Sequence, residues 1–341
     1  MSMTMKQLQR VMKTLWPIRQ PAFVWGPPGI GKSQGVRQVA DDLGISFQDL
    51  RLSTLDPVDL RGLPYLDKGR FVFAPLGALP ADGQGILFLD ELNSAPRAVQ
   101  AAAYQLVLDR QVGEYCLPEG WWVVAAGNGE GDRAVTNQMP TPLMNRMIHL
   151  SLEPDLDSWT KWALAEGLDH RVIAFLRLKG QPDALPDRRH GLFFHFDPTV
   201  TRNGASKGFP TPRSWAFVAL MLPVLSPEDR LEVFRGTVGE EAAVELLAFL
   251  EFFDIIPDPA AILINPDTAP VPKDPAPQYA VASALASLMS QNNAGQAMTY
   301  LDRCHPETQT MTLMLAKARD PLVGHTPAFI KWASENSHLL V

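Results

Sequence analysis

The sequence predicts an α/β domain built on a parallel sheet and followed by an all-helical remainder. Three observations carry that expectation. Short apolar runs alternate with helical stretches over residues 1–152. One run ends in a glycine-rich loop that opens directly into a helix. After Asp155 the strand signals fade and helical patterns take over.

Taken in order, residues 22–25 (AFVW) form the first strand, and a helix runs from the glycine-rich loop to about Leu43. Residues 47–52 make a second strand. Residues 85–89 (GILFL) make the most apolar one, as a central parallel strand covered on both faces requires. A helix over 96–110 buries Val99, Ala102, Ala103, Leu106 and Val107, spaced close to a period of 3.6. Strands over 121–126 and 147–152 complete the sheet.

Helices are expected over 157–166, 171–179, 212–222, 227–234 and 240–253, interrupted by a polar, irregular stretch at 180–208. Residues 256–277 hold seven prolines, which predicts a semi-rigid extended connection, with Ile262, Leu263 and Ile264 able to pack it down. A closing bundle follows over 278–290, 294–303, 307–318 and 327–336. The expected domains are therefore 1–152, 153–256 and 257–341.

Composition narrows the function class. The 341 residues are 46% apolar and 20% charged, the balance of a folded soluble chain. The net charge of −7 disfavours a nucleic-acid backbone as partner. Two cysteines, Cys116 and Cys304, match no metal spacing and no disulfide framework, which favours a reducing compartment. The amphipathic stretch 1–16 lacks the apolar centre and cleavage site of a secretory signal, and no apolar run reaches 18 residues. A cytoplasmic protein without a membrane span is the expectation.

Gly26-Pro27-Pro28-Gly29-Ile30-Gly31-Lys32-Ser33 fits the phosphate-loop pattern G-x-x-x-x-G-K-[ST] without a mismatch. The loop turns backbone N–H groups toward phosphate oxygens, and the helix carrying Lys32, Ser33 and Gln34 adds its positive end. Lys32 would reach the β- and γ-phosphates and Ser33 would hold Mg²⁺. The motif alone does not separate kinase, GTPase and ATPase.

Leu87-Phe88-Leu89 ends in Asp90 and Glu91, and ligands of a parallel sheet sit beyond the carboxyl ends of its strands. Asp90 suits a direct or water-mediated role on Mg²⁺, and Glu91 suits activation of an attacking water. Such a pair can also merely cap the next helix. Asn128 ends the next apolar strand and would orient that water or touch the γ-phosphate; an ordinary Asn-Gly turn is the plain alternative. Arg146 precedes a strand and Arg213 opens a helix. A guanidinium can stabilise charge on a transferring phosphoryl group, or simply make a surface ion pair. His190 and His195 read as solvated loop residues, since no third ligand stands at metal spacing.

In this order the motifs resemble AAA+ ATPases over about residues 20–225, and within them the MoxR-like group. The subgroup resemblance rests on two features. Within residues 56–79, apolar residues alternate over 65–73 around Asp67-Lys68-Gly69, like a hairpin inserted into helix 2, and residues 111–118 resemble the hairpin before the sensor-1 strand. Many relatives have Pro after the sensor-1 Asn, where this chain has Gly129.

The resemblance implies an AAA+ core, an all-α lid and a C-terminal helical bundle. It also implies ATP and Mg²⁺ as ligands, Asn128 as sensor 1, Arg146 as a finger donated to a neighbouring subunit and Arg213 as sensor 2. It further implies a homo-oligomer, either a head-to-tail ring of six or a helical filament. The activity implied is chaperone-like remodelling of a partner protein, commonly one with a von Willebrand factor A domain. The rivals are a nucleic-acid motor, a small-molecule kinase and a ring that does not hydrolyse nucleotide.

Overall fold

The computed structural model describes residues 2–74, 77–129, 139, 141–179, 191–195 and 208–336. The chain divides into two compact units, Met1–Asp155 and Leu156–Val341.

The first unit contains α1 (Met5–Leu15), β1 (Ala22–Trp25), α2 (Lys32–Leu43), β2 (Ser46–Arg51), α3 (Pro57–Arg61), β3 (Leu63–Asp67) and β4 (Arg70–Ala74). It continues with β5 (Gly85–Asp90), α4 (Arg97–Asp109), β6 (Gln111–Val112), β7 (Tyr115–Cys116), β8 (Trp121–Gly127), α5 (Thr141–Met144) and β9 (Ile148–Ser151). Five strands pair in the order β2-β5-β8-β1-β9, and every pairing is parallel. This is the α/β core that the sequence predicts.

Every residue of β5 and β8 is buried. That explains their unbroken apolar runs, because helices cover both faces of a central parallel strand. Each fully buried Val, Leu or Phe there stabilises the fold by about 1.5–3 kcal/mol. Helix α1 starts at a Thr4–Gln7 capping box and buries Leu8 and Met12. Just before it, Met3 bridges Leu152 in parallel, beyond the end of β9. The stretch expected not to be a signal is thus built into this unit.

Two hairpins lie outside the central sheet. Strands β3 and β4 pair antiparallel, with Asp67 opposite Arg70. Lys68 (φ 49°) and Gly69 (φ 77°) form the two-residue turn, both with the positive φ that a tight hairpin of this twist needs. The β6–β7 hairpin lies against it, and its Glu114 carboxylate accepts the Phe73 N–H at 3.3 Å.

The second unit is helical. It comprises α6 (Leu156–Ala165), α7 (His170–Lys179), α8 (Pro212–Met221), α9 (Arg230–Val238), α10 (Glu240–Leu250) and α11 (Phe252–Ile255). It then comprises α12 (Pro259–Ile264), α13 (Pro275–Leu288), α14 (Ala294–Leu301), α15 (Pro306–Arg319) and α16 (Pro327–Glu335). One apolar core runs from Trp159 through Trp215 and Phe249 to Trp332. The expected division at 256 lies inside that core.

The proline-rich stretch departs from the expected extended connection. It contains α12, capped by the Asp258 carboxylate, and the first turn of α13, where prolines are tolerated because the leading N–H groups need no helical partner. Tyr300 Oη donates to the Pro270 carbonyl at 2.9 Å, and Arg303 donates to Pro266 at 2.7 Å. Both bonds pin the segment to the bundle. Burial pushes the Cys304 thiol up to about 11, so it packs as an inert apolar group.

Asp169 starts α7, accepting the Arg171 N–H at 2.9 Å and its guanidinium at 2.6 Å. Burial pushes its carboxyl upward, but the bonds and charge of Arg171 outweigh that and hold it below the ordinary value. The stabilisation is therefore present at neutral pH and is lost as pH falls through the lowered value. Asp169→Ala is expected to destabilise the protein by about 2 kcal/mol at neutral pH. In denaturant melts the gap from wild type should close in acid.

Candidate functional site

The site sits where β1, β5 and β8 end side by side. Strand β1 runs into the glycine-rich loop, and α2 begins immediately after Gly31, whose φ of 91° lies in the left-handed region. No side chain caps that helix start, so its first N–H groups face the loop. Ile30 is buried and fastens the loop to the core, while Gln34 lies exposed on the outer face of α2.

Lys32 is only 9% exposed. Its ammonium donates to the carbonyls of Gly26 (2.5 Å) and Pro27 (3.1 Å) and to Asn128 Oδ1 (3.0 Å). Asn128 therefore stands beside the lysine and not merely in a turn. Its backbone carbonyl accepts from Asn93 Nδ2 at 2.7 Å. Asn93, almost wholly buried, joins this cluster, and sequence reasoning missed it. Its place three residues after Asp90 was the available signal.

Ser33 Oγ donates to Asp90 Oδ2 at 3.4 Å, and the Glu91 N–H donates to Asp90 Oδ1 at 2.9 Å. Glu91 has a φ of 58°, unusual for a residue with a side chain. That backbone turns its carboxylate to Ser53, whose hydroxyl donates to Glu91 Oε2. Register explains the meeting. Arg51 pairs with Asp90, so the 3₁₀ turn after β2 carries Ser53 past the end of β5. Nothing in the sequence marked Ser53. A third acid, Asp49 on β2, stands close enough to feel Asp90. Burial first, and then the Asp90 charge, raise its carboxyl above the usual value.

Arg146 follows α5 and is exposed, with no ion-pair partner among the described residues. Its carbonyl accepts from Gln20 Nε2 at 2.7 Å. Arg213 is exposed in the first turn of α8, in the second unit, behind the Thr211–Ser214 capping box. His195 donates its backbone N–H to the Pro210 carbonyl, and His190 lies outside the described residues. Among the described residues there is no group of three or more His, Cys, Asp or Glu suited to a metal.

The residues fit a nucleoside triphosphate with magnesium. The uncapped start of α2 and the Lys32 ammonium suit phosphate oxygens. The Ser33 hydroxyl and Asp90 carboxylate are adjacent hard oxygens, and Mg²⁺ takes few protein ligands beyond phosphates and water.

A strand, a glycine loop and a helix bearing Lys-Ser, with an acidic pair at the end of the next strand but one in the sheet, define a P-loop nucleotide-binding domain. Residues 22–147 match the family described as "ATPase family associated with various cellular activities (AAA)". Residues 22–147 of the first unit are therefore similar to an AAA-type ATPase domain.

Among solved structures the chain is similar to NtrX from Brucella abortus, at 15% identity over 99% of this chain and 68% of that one, with a TM-score of 0.42. It is also similar to a RuvB mutant from Thermotoga maritima, at 16% identity over 87% of this chain and 85% of that one, with a TM-score of 0.39. These likenesses are too distant to bear on activity or partners. No curated protein matches the chain. Among the described residues no helix is long and apolar enough to cross a membrane.

Proposed function

We propose that this protein is a MoxR-like AAA+ ATPase. It hydrolyses ATP with Mg²⁺ in a homo-oligomeric ring or helical assembly and uses the cycle to remodel or help assemble a partner protein. Its adaptor would carry a von Willebrand factor A domain. The supporting observation is the cluster of Lys32, Asn128, Ser33, Asp90 and Glu91 around the start of α2.

The loop N–H groups and Lys32 bind the phosphates, with Lys32 exchanging its carbonyl partners for phosphate oxygens. Ser33 and Asp90 would hold Mg²⁺, which would supply positive charge to offset that of the phosphates. Asn128 orients the attacking water. Glu91, once parted from Ser53, accepts its proton as the water oxygen bonds to the γ-phosphorus. The β–γ bridging bond breaks and ADP leaves with the electron pair. Arg146 stabilises the transferring group on a neighbouring subunit, and Arg213 reports nucleotide state to the helical unit.

The β3–β4 hairpin favours a protein client. Leu63, Leu66 and Phe71 are 67%, 67% and 73% exposed on it, and apolar surface of this kind suits contact with polypeptide.

ATP turnover by the purified chain, with and without duplex DNA, tests the reading. Magnesium-dependent hydrolysis is expected, falling by about 10²-fold or more in Lys32→Met. Absence of hydrolysis defeats the ATPase assignment, and strong stimulation by DNA defeats the protein-client assignment.

A further inference from the structure

We propose that His149 is a positioning residue, bridging the strand that enters the phosphate loop to the segment that presents Arg146. Trp25, the last residue of β1 before Gly26, donates its indole N–H to His149 Nδ1 at 2.9 Å. The other ring nitrogen, Nε2, lies 2.7 Å from the carbonyl oxygen of Met144. An indole nitrogen can only donate, so Nδ1 must accept. The hydrogen therefore resides on Nε2 and is given to Met144. One neutral imidazole thus carries a bond from Trp25 on one side to Met144 on the other.

The packing holds the ring in that pose. Strand β9 lies beside β1 with His149 opposite Phe23, and the His149 and Trp25 rings stack with centroids 5.9 Å apart. Phe23 packs on Trp25 at 4.2 Å.

The far end of the bridge reaches the Arg146 segment. Met144 ends α5, and its carbonyl also accepts the Met147 N–H, at the longer distance of 3.4 Å. Arg146 follows two residues later. Its N–H donates to Leu143, and its carbonyl is held by Gln20. Gln20 is itself fixed, because its carbonyl accepts the indole N–H of the buried Trp122 at 2.7 Å. The backbone of the exposed arginine is therefore held from β8 through Gln20 and from β1 through His149. A displacement of about 1 Å at a catalytic group can cost 10²-fold in rate, so this bracket matters to a guanidinium that must reach another subunit.

The inference rests on the reading that Arg146 serves a neighbouring subunit, and the test separates the two. Wild-type chains are mixed with an excess of hydrolysis-dead donors, and turnover is measured per wild-type subunit. The donors carry Glu91→Gln alone, or combined with His149→Phe, His149→Gln or Arg146→Ala. Phe keeps the ring and loses both bonds. Gln can accept from Trp25 and donate to Met144. Light scattering and subunit energy transfer confirm mixed assemblies.

The His149→Phe donors are expected to depress wild-type turnover by about tenfold relative to plain Glu91→Gln donors. The His149→Gln donors should recover most of it, and ATP affinity of the His149→Phe donor should be unchanged. Depression by Arg146→Ala donors but not by His149→Phe donors overturns the role of His149 alone. Exclusion of His149→Phe donors from mixed assemblies overturns it as well. Absence of depression by Arg146→Ala donors overturns the trans arginine, and this inference with it.

Discussion

Replacing Glu91 by Gln is expected to cut ATP turnover by about 10²–10⁴-fold while leaving ATP binding intact. The amide keeps the size and hydrogen-bonding reach of the carboxylate but cannot take a proton from water. On the proposed reading the phosphate contacts come from the loop, from α2 and from Lys32, whose ammonium donates to Gly26, Pro27 and Asn128. Binding by fluorescent nucleotide and turnover by phosphate release separate the two effects. Loss of affinity comparable to the loss of rate would show that Glu91 holds the nucleotide and does not activate water. The variant bears on Ser53 too. That hydroxyl donates to the Glu91 carboxylate in this structure, and Gln can still accept there, so the fold around β2 and β5 should melt unchanged.

Arg146→Ala is expected to lower turnover by about 10³–10⁵-fold, the range for an arginine stabilising a transferring phosphoryl group. Stability should barely change, because the side chain is exposed and the Gln20 bond is to the Arg146 backbone. The defect should also be complemented in mixtures. Glu91→Gln chains lack the base but keep the arginine, and Arg146→Ala chains keep the base but lack the arginine. In an equal, random head-to-tail mixture about a quarter of the sites combine an intact Glu91 with a neighbour's intact Arg146. Turnover should then recover to about a quarter of the wild-type rate. Confirmed mixed assemblies that stay inactive would sink the shared site, and Arg146 would then act within its own chain.

Much of this was legible in the residues. The loop 26–33 declares itself because its chemistry is local: glycine freedom, a helix start and a lysine are all set by near neighbours. Strands β5 and β8 are legible because burial on both faces leaves only apolar residues. The β3–β4 hairpin is legible because apolar residues alternate on both sides of Asp67-Lys68-Gly69, and Gly69 readily takes one of the two positive φ values found in the turn. The proline-rich stretch misleads because proline opposes helix interiors but not helix starts, and α12 and α13 both begin on a proline after an aspartate.

Less was legible wherever distant segments meet. Ser53 reaches Glu91, Asn93 reaches Asn128 and His149 joins Trp25 to Met144, and none of these pairs is announced by spacing. The residues alone determined that this protein has a phosphate loop, a carboxylate pair on a central strand and a helical second half. Those follow from local backbone preference and from which side chains water excludes. Tertiary structure decided the partners of each functional side chain. A parallel sheet brings together strand ends far apart in the chain, and only its order and register choose which side chains meet.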